Sequence, residues 1–339
     1  MPKQPKHILV IRLSAMGDVA MIVPVLRALI KQHPEVKITI LTKPFFEPIF
    51  RNIPNVSVFP VYVKDKHKGV LGLYKLSREL KTLGIDAIAD LHNVLRSKIL
   101  KVFLFRLPFI QIDKGRKEKK ALVTGKLFEP LKTTHERYAD VFRKFGFRLD
   151  LSNPEFPKKT TLSEETQRLF DISRPKIGIA PFAAHIGKMY PLHLMEGVIE
   201  ELSKDYQIFL FGGGKHEYLK LRRLERKFSN VLFASDASFT EELDVISNLD
   251  VMLSMDSGNG HLAAMFGVKV ITIWGVTHPY AGFAPFNQPE DYTLLPDRNQ
   301  YPLIPTSIYG NKYPKGYRDA AGSISPSTIV KKIKAVLSN

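Results

Sequence analysis

This 339-residue sequence predicts an α/β protein of two doubly wound domains facing a cleft. Three observations carry the prediction. Continuous apolar strands alternate with helical stretches, the pattern of parallel sheets covered on both faces. The alternation breaks over residues 148–175 and then restarts. The length also exceeds what one hydrophobic core commonly serves.

Ile8-Leu9-Val10-Ile11 opens the first domain as a buried-type strand. The loop Arg12-Leu13-Ser14-Ala15-Met16-Gly17-Asp18 leads into a helical pattern that Pro34 ends, and Lys37 to Leu41 forms the next strand. The series continues with a strand at Val56 to Val61, a helix near Leu71 to Leu83 and the strand Ala87 to Leu91. Asn153-Pro154, Pro157, Lys158-Lys159-Thr160-Thr161 and Arg174-Pro175 mark a linker holding a short helix. The second series has strands at Lys176 to Ala180, Gln207 to Phe211, Asp250 to Ser254 and Val268 to Trp274. A short basic amphipathic helix follows Pro326. The expected domains are 1–155, 170–320 and a C-terminal helix over 321–339 that packs back on the first domain.

Composition narrows the function classes. The chain has no cysteine, so a disulfide framework, a thiol nucleophile and a cysteine metal site are all excluded. No run of about 18 apolar residues suggests a membrane span, and the N-terminus lacks the apolar core and cleavage site of a signal peptide. Residues 1–160 hold 31 Lys and Arg against 14 Asp and Glu, the whole excess of +17, while residues 161–339 hold 19 of each. Such asymmetry predicts an anionic partner for the first half: nucleic acid, a lipid headgroup surface or an acidic substrate. Solubility alone is the plainer reading of the same charge.

The strongest local signal is Ser254-Met255-Asp256-Ser257-Gly258-Asn259-Gly260-His261-Leu262-Ala263-Ala264-Met265-Phe266-Gly267. A strand ends, small polar residues turn the chain, and a helix starts near Asn259. Amide N–H groups at that start suit a diphosphate, with His261 pointing to the same pocket. An ordinary turn capped by Asp256 or Ser257 is the alternative. Gly267 suits the left-handed residue that stops the helix.

Ser14 and Gly17 lie in the loop after the first strand, where open sheets place ligands. A lone glycine there is not a dinucleotide fingerprint, which argues against a dehydrogenase. Asp18, at a helix N-terminus, reads either as a cap or as a carboxylate facing the cleft. Lys188 either neutralises a phosphate or is a solvated loop lysine. Gly212-Gly213-Gly214-Lys215-His216-Glu217 is not a P-loop; its glycines admit a ligand closely and Glu217 suits ribose hydroxyls, or the segment is a plain turn. His135-Glu136 and His216-Glu217 lack the second histidine of a zinc protease, and Asp-x-Asp is absent, so no metal is expected. Ile99 to Leu107 and the basic run Lys114 to Lys120 together suit a seat on an anionic membrane surface. The plainer readings are a core helix and a solvated loop; the favoured ones are a core helix for the first and the membrane for the second.

Together these segments resemble the heptosyltransferase family, glycosyltransferase family 9, of lipopolysaccharide core assembly. The likeness rests on Val10 to Val19, Asp90-Leu91-His92-Asn93-Val94-Leu95-Arg96-Ser97, His135-Glu136-Arg137-Tyr138, Lys188 to Pro191 and Asp256 to Ala264. It implies the GT-B type of fold: two Rossmann-like domains, acceptor on the first and nucleotide sugar on the second, with no required metal or other cofactor. It also implies roles. Asp18 matches the general base, Lys188 the lysine on the donor phosphates and Glu217 the acid near the nucleoside. Asp256, Ser257, Gly258 and His261 match the donor diphosphate loop, while Arg96, Ser97, His135 and Arg137 fall in acceptor-side segments. Ala183 and Ala184 replace hydroxyl residues expected before Lys188, and Ala237 stands where a larger residue often contacts the base.

The resemblance implies inverting transfer of a heptose from ADP-heptose to an acidic, lipid-linked acceptor such as Kdo-lipid A. It places the protein in the cytoplasm, peripheral on the inner face of the inner membrane. No recognition motif or aromatic-basic platform supports a nucleic-acid partner. A different nucleotide sugar or surface glycan, and a non-catalytic nucleotide-sugar-binding protein, stand as alternatives.

Overall fold

The structure, a computed structural model, describes residues 4–234 and 238–338; Ala237 lies outside the described residues. The chain divides into two compact units: residues 1–114 with 134–155, and residues 115–133 with 156–339.

In the first unit, strands β1 (His7–Ile11), β2 (Lys37–Thr42), β3 (Val56–Pro60), β4 (Ala87–Asp90) and β5 (Phe109–Gln111) form one parallel sheet. Its order is β3-β2-β1-β4-β5, so the chain starts in the middle and winds outward twice. Ile8, Leu9, Val10 and Ile11 are all buried, because helices cover both faces of the central strand. One layer comprises α1 (Met16–Ala20), α2 (Ile22–Gln32) and α6 (Thr134–Arg143), which packs on α2 and β4. The other comprises α3 (Gly69–Lys81) and α4 (Leu95–Phe103), whose Leu73, Leu76, Leu80 and Leu100 join Leu9 and Ile11 in a core. Truncating such a leucine to alanine costs about 2–5 kcal/mol.

The second unit repeats the plan with β6 (Lys176–Ala180), β7 (Gln207–Leu210), β8 (Val231–Phe233), β9 (Val251–Met255), β10 (Lys269–Ile273) and β11 (Thr293–Leu294), in the order β11-β10-β9-β6-β7-β8. Its helices are α5 (Arg116–Val123), α7 (Glu164–Leu169), α8 (Leu192–Leu202), α9 (Lys215–Lys227), α10 (Phe239–Ser247), α11 (Gly258–Ala264) and α12 (Pro326–Ser338). Gly267 adopts φ +79°, closing the turn between α11 and β10 where a side chain would be strained. A Cβ there would also press on the Phe156 ring.

Four expectations change. The basic run is not a loop: Arg116–Val123 is helical, with Leu122 buried against Leu131 and Ala281 and the Lys119 ammonium 3.9 Å from the Phe283 ring centre. That segment therefore packs in the second unit although it precedes α6. The first unit then carries 23 Lys and Arg against 12 Asp and Glu, a net +11, and the second 27 against 21, a net +6. Residues 156–175 are not a free linker, since Phe170 stacks on Phe209 at 4.7 Å and Asn248 Nδ2 donates to Thr160 O at 2.9 Å. Helix α12 is not a separate C-terminal element but part of the second unit: Ile329, Ile333 and Val336 are buried with Val198 and Leu202 of α8, because its apolar stripe fits that groove. Finally, Ile99 to Leu107 is only half a core helix. Leu100 and Leu104 are buried, while Val102 and Phe105 are exposed.

Candidate active site

In the first unit, β1 and β4 are parallel neighbours in the register Ile11 to Asp90, so the segments following them leave the sheet side by side. The Arg12 guanidinium bridges them. Its Nη1 donates to Leu91 O at 2.6 Å, and its Nη2 meets Asp18 Oδ2 at 2.6 Å. The same carboxylate oxygen accepts the Ala15 N–H at 3.3 Å. From α6, Tyr138 donates its hydroxyl hydrogen to the backbone carbonyl of Asp18 at 3.2 Å, and its ring lies 5.9 Å from the Arg12 guanidinium. Asp18 is thus held from three sides, yet its side chain keeps 29% of its exposure against 8% for Arg12. A fixed, solvent-reachable carboxylate is what a general base requires.

His92 sits beside this pair. Burial, reinforced by Arg12 and Lys114, pushes its imidazole down to about 4, so it is neutral at pH 7. Its Nδ1 accepts the Leu13 N–H at 3.4 Å. Burial also pushes the Tyr138 phenol well above its ordinary range, keeping it a hydrogen-bond donor. Asp90 builds the turn: Oδ1 accepts the N–H groups of His92 and Asn93 at 3.0 and 2.8 Å, and Oδ2 accepts Gln111 Nε2 at 2.8 Å.

The residues expected on the acceptor side are all in this unit, in different settings. Arg96 is exposed on the first turn of α4. Ser97 is buried; its Oγ donates to Val94 O at 2.9 Å and accepts the Val94 N–H at 3.0 Å, which ties the helix start together. His135 and Arg137 are buried on α6. Ser14 and Gly17 flank Asp18, both partly exposed.

In the second unit, Asp256 follows β9 and is buried. Its Oδ2 pairs with Lys188 Nζ at 2.8 Å and accepts the Thr277 hydroxyl hydrogen at 2.8 Å. Lys188 is therefore not a solvated loop lysine. The loop that carries it is held by Val276 N–H donating to Gly187 O at 2.7 Å. Gly310, at φ +76°, lies so close that a Cβ would overlap the Lys188 side chain.

Helix α11 starts at Gly258, with Ser257 at its cap position and no side-chain capping bond. Among the described residues the buried Ser257 Oγ and Asn259 Oδ1 have no hydrogen-bond partner. Buried polar groups are normally paired, so these two mark a surface suited to a polar ligand. His261 is buried on the same turn. Glu217 partly serves its own turn, Oε2 accepting the Gly213 N–H at 2.8 Å. Ala183 and Ala184 precede Lys188 in an irregular loop and offer no hydroxyl.

The family model for glycosyltransferase family 9 (heptosyltransferase) matches residues 73–303. The chain belongs to this family. Among curated relatives, this glycosyltransferase is 24% identical to the lipopolysaccharide core heptosyltransferase OpsX of Haemophilus influenzae, over 87% of this chain and 86% of the relative. In fold it is similar to E. coli ADP-heptose lipopolysaccharide heptosyltransferase II, at TM-score 0.70 and 18% identity over 98% of both chains. It is also similar to E. coli heptosyltransferase WaaC with ADP, at TM-score 0.69 and 17% identity, covering 97% of this chain and 99% of that one. These likenesses identify the two parallel-sheet units as the GT-B type of fold.

Sequence reasoning missed Arg12, His92 and Tyr138 as the frame around Asp18, and Thr277 and Gly310 as the frame around Lys188. One signal was available for Thr277. It follows β10, whose Ile273 is in register with Met255 of β9, and neighbouring parallel strands deliver their C-terminal loops together. Gly310 is 122 residues beyond Lys188, and no local pattern joins them.

Proposed function

We propose that this family 9 glycosyltransferase moves a heptose from ADP-heptose to the inner core of lipopolysaccharide, on a Kdo-lipid A type acceptor. The observation that supports the reading is a buried, positioned lysine in the second unit, whose chemistry suits a phosphate. Lys188 is aimed by buried Asp256 and Thr277, beside the unpartnered Ser257 Oγ and Asn259 Oδ1. Two E. coli proteins of similar fold, one an ADP-heptose lipopolysaccharide heptosyltransferase and one a heptosyltransferase with ADP, support the donor. The likeness to OpsX, a lipopolysaccharide core heptosyltransferase, supports a lipopolysaccharide core acceptor.

The transfer is an inverting single displacement that uses no metal ion. Asp18 takes the proton from an acceptor hydroxyl as that oxygen bonds to the anomeric carbon. The bond from that carbon to the diphosphate oxygen breaks, and its electron pair leaves with ADP. Lys188 neutralises the charge growing on the diphosphate, which Ser257, Gly258, Asp256 and His261 line, and Glu217 receives the ribose hydroxyls. Arg96 and Arg137 supply cationic chemistry for the acidic acceptor and His135 a hydrogen-bonding ring; Ser97 shapes the helix start that presents Arg96. The enzyme works in the cytoplasm, peripheral on the inner face of the inner membrane.

Ala183 and Ala184 favour a second reading, in which a different nucleotide sugar or surface glycan is used. The test is to incubate the purified chain with a panel of nucleotide sugars and deacylated lipid A cores, with and without chelator, and to read products by mass spectrometry. Transfer from ADP-heptose that survives chelation supports the first reading; transfer from another sugar alone establishes the second. Asp18→Asn should lose roughly 10²- to 10⁴-fold in turnover while still binding ADP. Unchanged turnover in that variant would remove Asp18 from the mechanism, and no transfer from any donor would leave a nucleotide-sugar-binding protein.

A further inference from the structure

We infer that the outer face of α3 and α4 is the surface by which this protein docks on an anionic lipid membrane, a proposal that rests on the lipid-linked acceptor above. Helix α3 turns Leu73, Leu76 and Leu80 inward, and α4 turns Ser97 and Leu100 inward. The opposite stripes are apolar too. Leu71 is 85% exposed, Leu95 73% and Phe105 74%, and Val70, Tyr74 and Val102 are exposed beside them. Tyr74 of α3 and Phe103 of α4 meet edge to face at 5.5 Å, so the two stripes join into one surface. Single exposed apolar residues need no explanation, but a contiguous set does.

Charge selects the occupant. Lys75 and Arg78 share the outer stripe of α3, and Lys98 lies between Leu95 and Val102 on α4. Lys101 and Arg106 flank the same end, with Arg106 5.7 Å from the Phe105 ring centre. No acidic residue occurs between Asp90 and Asp113. On α3 the acid is Glu79, and it is taken by Lys66 at 3.2 Å and His67 at 3.3 Å. Apolar side chains ringed by cations without a carboxylate partner among the described residues match an interface of acyl chains under anionic headgroups. A second copy of this chain would bring the same cations face to face.

The placement also suits the acceptor. Arg96 stands on the first turn of α4, directly after the turn built by Asp90 and close in sequence to His92 beside Asp18. A lipid anchored under α4 would present its headgroup sugars at that end of the sheet. Most of the basic run Lys114 to Lys120, for which the sequence suggested the same role, lies on α5 of the other unit, with Leu122 buried and Lys119 against the Phe283 ring.

The test is flotation of the full chain with vesicles of phosphatidylethanolamine and phosphatidylglycerol, against vesicles of phosphatidylcholine. Binding to the anionic vesicles should weaken as salt rises. The double substitution Leu71→Glu with Val102→Glu should lower that binding by about tenfold or more. Lys75→Ala with Lys98→Ala, which leaves the apolar residues in place, should lower it by about thirtyfold, near 1 kcal/mol for each charge. Both variants should retain wild-type turnover on a deacylated, soluble acceptor. That second readout separates the two ideas: loss of turnover in the wild type itself would count against the transferase reading, whereas vesicle binding decides the docking face. Wild-type vesicle binding by both variants would overturn the proposal. So would a concentration-dependent dimer, seen by light scattering, that Leu71→Glu with Val102→Glu abolishes.

Discussion

Each unit sets one carboxylate against one cation in a segment that follows a central strand, but the two pairs are built for opposite purposes. In the first unit the cation is buried and the carboxylate is open: Arg12 is fixed by Leu91 O and Tyr138, and Asp18 faces solvent. In the second the carboxylate is sealed, and it aims the cation: Asp256 is 7% exposed and held by Thr277 while Lys188 carries the contact outward. A carboxylate that must exchange a proton needs access, and a carboxylate that positions an ammonium needs enclosure. The same residue types therefore leave the carboxylate open in one unit and enclose it in the other.

The contrast breaks if stability and activity do not separate as it requires. The largest effect is expected at the sealed pair. Asp256→Ala leaves Lys188 facing a desolvated void and should cost about 3–5 kcal/mol in stability, measured by urea unfolding, together with ADP affinity. Asp18→Asn should cost less, about 1.5–3 kcal/mol, since Arg12 loses its counter-charge but the amide oxygen and Leu91 O still accept from it. Equal destabilisation by the two would show that they are not built differently.

Lys188→Met probes the cation alone. Losing a charge-assisted bond of about 1.5–3 kcal/mol predicts ADP binding weaker by roughly 10- to 150-fold in calorimetry. Affinity within about twofold of wild type would place the phosphates elsewhere.

The smallest effect concerns His92. Its imidazole is held near 4, below the value of about 6.5 for an unfolded histidine. Between those values the unfolded chain binds more protons, so stability should be full above about pH 6.5 and decline as pH falls toward about 4. His92→Asn, whose amide oxygen replaces Nδ1 as acceptor, should flatten that decline in urea midpoints taken across the window. His278, also pushed down to about 4 by burial and Arg298, keeps some of the slope in either protein.

Much of the fold was legible because local rules act over a few residues. Apolar runs marked the inner strands, and Pro34 and Gly267 marked where helices stop; the restart at Lys176 marked the second sheet. The element edges moved by a residue or two, as at Val56–Pro60 and Gly69–Lys81. The candidate site was legible in outline only as positions, since Asp18, Lys188 and Asp256 each follow a strand. Whether a residue there was reagent or scaffold was not. Ser97 and Glu217 turned out to support their own backbone turns.

The sequence by itself determined the strand and helix alternation, the absence of thiol chemistry, the family segments and the excess of positive charge. These are properties of neighbours along the chain. Only the tertiary structure decided that residues 115–133 belong with the second sheet, that Gly310 lies against Lys188, and that α4 shows its apolar side to solvent. Those outcomes depend on which distant surface each apolar stripe finds, and a stripe reads the same in sequence whether it finds a partner or remains exposed.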